Sequence, residues 1–190
     1  MPGVIGAVTG FIERQKGRGY VESSALQRFG KGACAFAGGG NVFVGASAAG
    51  VGNGADVTED VLFTVTLPAN CLDIVGRQVL VEAAGQIGAL SATKNLKVYF
   101  GSTVLANFAA TTTQTGVCVV TALVTKVGAS AQVAVITTDT TISGSLVRAA
   151  SILTPTESDI AGIVIKVTGQ SSVATANTVT ANLLTVGGYD

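Results

Sequence analysis

Between residues 57 and 186 the chain alternates aliphatic and threonine residues in short runs, each broken within ten to fifteen residues by glycine, asparagine or serine. At residues 61–67 the period is two: Val61, Phe63, Val65 and Leu67 share one face, and Leu62, Thr64 and Thr66 share the other. That alternation predicts a half-buried strand. Similar runs at 78–84, 96–100, 103–108, 117–126, 131–138, 145–152, 160–168 and 179–185 predict further strands. Valine, isoleucine and threonine suit a pleated, half-buried surface, and no run in this region has helical apolar spacing with caps. The connectors carry Gly76, Gly88, Gly101, Gly116, Gly128, Gly144, Gly162 and Gly169. Many short strands with no intervening helices predict an all-β fold, an antiparallel jelly-roll-like β-sandwich spanning residues 56–190.

Residues 1–55 follow a different pattern. Glycine clusters at Gly38, Gly39 and Gly40 and at Gly45, Gly50, Gly52 and Gly54 leave little to bury against a high ordering cost. The expectation is an extended N-terminal arm; a solvated, disordered tail is the alternative, with a short helix possible at residues 24–29. Arg14, Lys16, Arg18, Arg28 and Lys31 face only Glu13 and Glu22, so the arm carries a net charge of about +3 and the remainder about −3. That asymmetry suits docking of the arm on a neighbouring copy. Phe11, Ile12, Tyr20, Phe29, Phe36 and Phe43 are its candidate anchors, because large apolar and aromatic side chains dominate interface energetics.

Composition sharpens the picture. Apolar residues make up 48% of the 190 and charged residues 12%, about half the usual charged fraction. Eleven basic and eleven acidic side chains cancel, whereas a soluble monomer usually keeps a net charge. Much of the exterior is therefore expected to be covered by other subunits. No uninterrupted apolar stretch is long enough for a membrane-spanning helix. The apolar N-terminus lacks a preceding basic region, which predicts synthesis in a cytoplasm rather than secretion. Cys34, Cys71 and Cys118 are far apart and odd in number, so buried thiols are expected, with an intersubunit disulfide as the alternative.

Most enzyme chemistries lack their residues. With no histidine in the chain, no Ser-His-Asp or Cys-His device can form and the commonest metal ligand is missing. Asp56, Glu59 and Asp60 are the only dense acidic cluster, but they lack the spacing of a calcium loop; a solvated turn is expected there. Glu157 and Asp159 read as a polar turn between strands, and Glu82 as a strand residue on the solvent face. The glycine stretches at 38–41 and 50–54 have no lysine followed by serine or threonine, so they are not phosphate loops. Basic charge is too sparse for a nucleic-acid interface. No catalytic residue, cofactor, metal, nucleic acid or membrane partner is assigned.

Three segments carry a resemblance. They are Phe63-Thr64-Val65-Thr66-Leu67-Pro68-Ala69-Asn70-Cys71-Leu72, then Gln78-Val79-Leu80-Val81-Glu82-Ala83-Ala84-Gly85, then Lys94-Asn95-Leu96-Lys97-Val98-Tyr99-Phe100-Gly101-Ser102-Thr103-Val104-Leu105. Together they resemble β-rich structural proteins encoded by tailed bacteriophages and prophages, over roughly residues 57–132. Arg77 and Gln78 replace the small loop residues of that pattern, and Ser102 replaces a second glycine. Physically, Pro68 ends a strand for want of an amide donor, Asn70 suits the turn that follows, and Gly101 suits a hairpin needing positive φ.

The resemblance implies a non-enzymatic virion structural protein, made in the host cytoplasm. A capsid decoration or cement protein is expected, self-associating as a homotrimer, anchored by its arm and contacting the major capsid protein or other virion proteins. A tail, baseplate or fibre component is the alternative, as is a carbohydrate-binding β-sandwich module, although only Phe100, Phe108 and Tyr189 follow Tyr99 as stacking candidates.

Overall fold

A computed structural model of the chain describes residues 41–189, and the side chains of residues 50–188. The strands are β1 (Asn41–Gly52), β2 (Asp60–Thr66), β3 (Gln78–Ile87), β4 (Lys94–Phe100), β5 (Thr103–Ala110), β6 (Gly116–Gly128), β7 (Ala131–Ile142), β8 (Ser145–Leu153), β9 (Val164–Ser171) and β10 (Val179–Tyr189). No helix occurs among the described residues. All neighbouring strands are antiparallel, in one sheet ordered β1-β10-β3-β6-β7-β8 and a second ordered β2-β9-β4-β5.

The pairing is nested. β4 pairs with β5, β3 with β6, β2 with β9 and β1 with β10, so the chain is one antiparallel ribbon doubled back on itself and folded into two sheets. That winding is the jelly roll, in which two Greek keys share a core. The β7–β8 hairpin is an insertion between β6 and β9 that lengthens the first sheet.

The two inner faces meet over Val79, Val81, Leu96, Val98, Phe100, Val120, Val124, Ile136, Ile165, Val167, Leu184 and Val186, each exposed by no more than 1%. Alternation along the strands places them there: β4 reads buried, half-buried, buried from Lys94 through Phe100. All nine sequence-predicted strands form. Residues 160–168 form later than expected, because the chain turns through Asp159–Gly162 first and β9 begins at Val164.

Two expectations change. Val61 is 54% exposed and Leu62 is buried, the reverse of the predicted alternation, because the β2–β9 register shifts between Val61 and Phe63. A bulge inserts one residue and so exchanges the faces of its neighbours. Residues 41–52, read from sequence as part of the arm, form β1 along the β10 edge. Phe43, a proposed arm anchor, lies in that strand opposite Thr185. Phe11, Ile12, Tyr20, Phe29 and Phe36, the possible helix at 24–29 and Cys34 lie outside the described residues.

Candidate interaction surface

The polar residues singled out in the sequence are occupied with holding loops to strands. Glu59 accepts from Lys97 Nζ at 2.5 Å, the Tyr99 hydroxyl at 2.7 Å and the Thr168 hydroxyl at 2.8 Å. Partial burial pushes its carboxyl up, but these three donors outweigh burial and hold it at about 2. Asp60 accepts from the Gly54 amide at 2.8 Å, and Asp56 closes a turn on the Thr58 amide at 2.8 Å. The three carboxylates thus point to separate partners, and no group of three or more metal-ligating side chains occurs among the described residues.

The predicted polar turn at Glu157 and Asp159 does more than meet solvent. Glu157 Oε1 accepts from the amides and hydroxyls of both Ser102 and Thr103, at 2.7–3.0 Å, and so fastens the β4–β5 turn, where Gly101 has φ 62° as expected. Ser102 therefore has its own use where the resemblance pattern has glycine. Asp159 is buried rather than solvated, and accepts from Lys126 Nζ at 2.9 Å. A charge taken out of water needs such a partner.

Lys94 and Asn53 are buried polar side chains whose roles the sequence pattern does not announce. Lys94 is fully buried, and its ammonium donates to the carbonyls of Gly88, Leu90, Thr112 and Gln114 at 2.7–3.1 Å. Burial lowers its pKa. Asn53 accepts from the amides of Thr178 and Val179 at 2.9 Å and donates to the carbonyls of Gly54 and Thr175, tying the end of β1 to the start of β10. Neither role follows from the segment the residue belongs to; its position beside turning backbone gives it.

Of the cysteines, Cys118 is a free buried thiol, as expected, and burial pushes it up to about 12. Cys71 is buried but disulfide-bonded, so it is not the free thiol expected from sequence. Glu82 is half-buried on the outer face of the larger sheet.

What the described residues leave uncovered is apolar strand. β7 keeps its inner face buried at Gln132, Ala134 and Ile136 and then loses cover; from Thr137 onward no residue of β7 is buried. In β8 every residue from Ser145 to Ile152 is exposed, on both faces. Leu146 is 70% exposed and Ile152 69%, although either side chain would gain roughly 2 kcal/mol from full burial. The smaller sheet ends at β5, so β8 overhangs it. Val117, Val119 and Val135 continue this apolar surface across the outer face of the larger sheet. Arg148 is the only charge on β8, and Asp139, directly opposite on β7, holds it with bonds of 2.6 and 2.9 Å. A second exposed apolar group is formed by Ile74, Val75 and Ile160 on loops and Val127 near the end of β6. The open groove at the tip of the hairpin, lined by Gln86, Ile87, Thr115, Val117 and Thr141, has no charged side chain.

Among the described residues, fold and surface together define a jelly-roll sandwich carrying an edge hairpin with uncovered apolar faces. Comparison of the chain with family models, with curated proteins and with solved structures found no match.

Proposed function

We propose that this is a non-enzymatic structural protein of a tailed-phage virion, a decoration or cement component of the capsid that self-associates through its sandwich as a homotrimer. The observation that carries the reading is the β7–β8 insertion: a strand exposed on both faces, apolar, with its one charge internally neutralised. Apolar surface of that kind marks a protein contact. A neutral, weakly charged chain fits the same reading, because obligate interfaces resemble a domain core cut in half. The major capsid protein or another virion protein is the partner, with residues 1–40 available as an anchoring arm.

The tail, baseplate or fibre reading uses the same surfaces at another place in the particle. A carbohydrate-binding role has less to work with: Phe100 and Phe108 are core residues, and Lys166 Nζ lies 4.5 Å above the centre of the Tyr99 ring, where a sugar would stack.

Immunogold labelling of purified particles with an antibody to this chain tests the reading. Label over the heads is the expected result, label confined to tails moves the protein to the second reading, and unlabelled particles refute a virion role. Removing residues 1–40 tests anchoring; the deletion must stop there, since β1 begins at Asn41. Truncated protein that decorates heads at full occupancy rules out the arm as anchor.

A further inference from the structure

We infer that the free edge of β8 pairs antiparallel with the β8 of a second copy, about a twofold axis at Ala149. The inference deepens the self-association of the proposed function and rests on that reading for its setting, but not on the protein's place in a particle.

Among the described residues β8 pairs on one side only, with β7. The hairpin between them closes through Ser143 and Gly144, with φ of 51° and 85°, so Ile142 and Ser145 flank a two-residue turn of the I′ type. The closing pair of such a turn is hydrogen-bonded, and bonded pairs recur at every second residue. The odd-numbered residues of β8 therefore spend their backbone groups on β7. Independent contacts agree: the hydroxyls of Thr140 and Thr138 reach the carbonyls of Val147 and Ala149 at 3.2 and 3.5 Å, and beyond the strand the Gln132 amide donates to Pro155 O at 3.0 Å. That leaves the amides and carbonyls of Leu146, Arg148, Ala150 and Ile152 aimed at the open edge.

Protected edges carry prolines, bulges or several charges. β8 has no proline among its nine residues and no register shift against β7, and its single charge is neutralised. The outward set also matches itself. With the axis at Ala149, Leu146 meets Ile152 of the second copy and Arg148 meets Ala150, so all four outward residues fall in hydrogen-bonded pairs. Shifting the register two residues in one direction would set Arg148 against Arg148, a repulsion. At the axis, Ala149 faces Ala149 in a non-bonded pair, whose Cα atoms approach to about 4.5 Å; alanine fits that spacing. Leu146 and Ile152, the two most exposed large side chains of the hairpin, cover each other twice over.

An isologous contact gives even-numbered assemblies. Alone it makes a dimer; combined with a threefold contact elsewhere it doubles a trimer into a hexamer.

Cysteine crosslinking of the full-length protein decides the matter. Ala149→Cys places two thiols across the axis and should give a covalent dimer under mild oxidation, on a non-reducing gel. Val147→Cys, on the same face, puts the thiols four residues apart along the strand, about 13 Å, and should give none. Ala150→Pro removes one outward amide while sparing the β7 ladder, and edge strands accept proline; the mass by light scattering should fall by half. Absence of crosslinking by Ala149→Cys, equal crosslinking by Val147→Cys, or an unchanged mass for Ala150→Pro would each overturn the pairing. None of these results bears on where particles are labelled, so the virion reading fails or stands separately.

Discussion

At the scale of single residues, a few polar side chains tie the loops to the sandwich. Lys94 supplies three donor hydrogens to four carbonyls, and so fixes two loops, 88–90 and 112–114, at one end of the sandwich. Lys94→Met keeps the length of the side chain but strands those acceptors. The expected cost is about 3 kcal/mol, read as a lowered urea midpoint with an unchanged slope; a variant within about 0.5 kcal/mol of wild type would mean the carbonyls find other donors. Glu59 gives a pH signature. Its carboxyl sits at about 2 in the folded protein against an ordinary 4.5, so the charged form stabilises the fold above pH 4.5. That contribution shrinks as pH falls from 4.5 toward 2, because the unfolded chain takes up the proton first. Comparing denaturation of wild type and Glu59→Gln should show a gap that is constant above pH 5 and closes below 4.5. A gap that ignores pH would assign Glu59 no electrostatic role.

At the scale of elements, turns fix where strands can run, and two glycines separate two kinds of cost. Gly144 and Gly162 both have φ of 85°, but a Cβ at Gly144 would meet nothing within 4 Å, while at Gly162 it would lie 2.5 Å from the Leu67 carbonyl. Gly144→Ala should cost about 1 kcal/mol, the price of the backbone conformation alone, and Gly162→Ala about 3 kcal/mol. Thermal melts of the two variants check the order, and equal shifts would show that the loop carrying Gly162 relaxes freely. Gly144, Gly162 and the hairpin at Gly101 were legible in the sequence because positive φ has a residue preference. The Val61–Leu62 exchange was not, since a bulge adds a residue without leaving a compositional mark. β1 was hidden too: its run of glycine, alanine and serine shows little apolar alternation, and it becomes a strand because β10 offers an edge to pair with. β8 was legible as a strand but not as an uncovered one. Its alternation of Leu146, Arg148, Ala150 and Ile152 reads like that of any sheet, and only its place beyond the end of the shorter sheet exposes both faces.

At the scale of the whole molecule, the nested ribbon orders the contacts by distance along the chain. β6 and β7 join through two residues, Gly128 pairing with Ala131, and β4 and β5 likewise through Gly101 and Ser102. β1 and β10 stand at opposite ends of the described chain, and β2 must find β9 across nearly as long a span. Loop closure costs more for the distant pairs, so the β6–β7 hairpin should be formed in the folding transition state and the outer pairs should close after it. A sandwich with so many distant pairings should refold slowly, on the order of once per second. The partition between rates tests the order. Ile136→Val, in β7 against Ala122 of β6, should lower the refolding rate by most of its stability loss; Leu184→Ala, in β10, should leave refolding nearly unchanged and speed unfolding instead. Stopped-flow measurements across denaturant read both arms. If Leu184→Ala slows refolding more than Ile136→Val in proportion to its stability loss, the ends of the ribbon meet first, and the nucleus lies in the β10 pairings rather than in the β6–β7 hairpin.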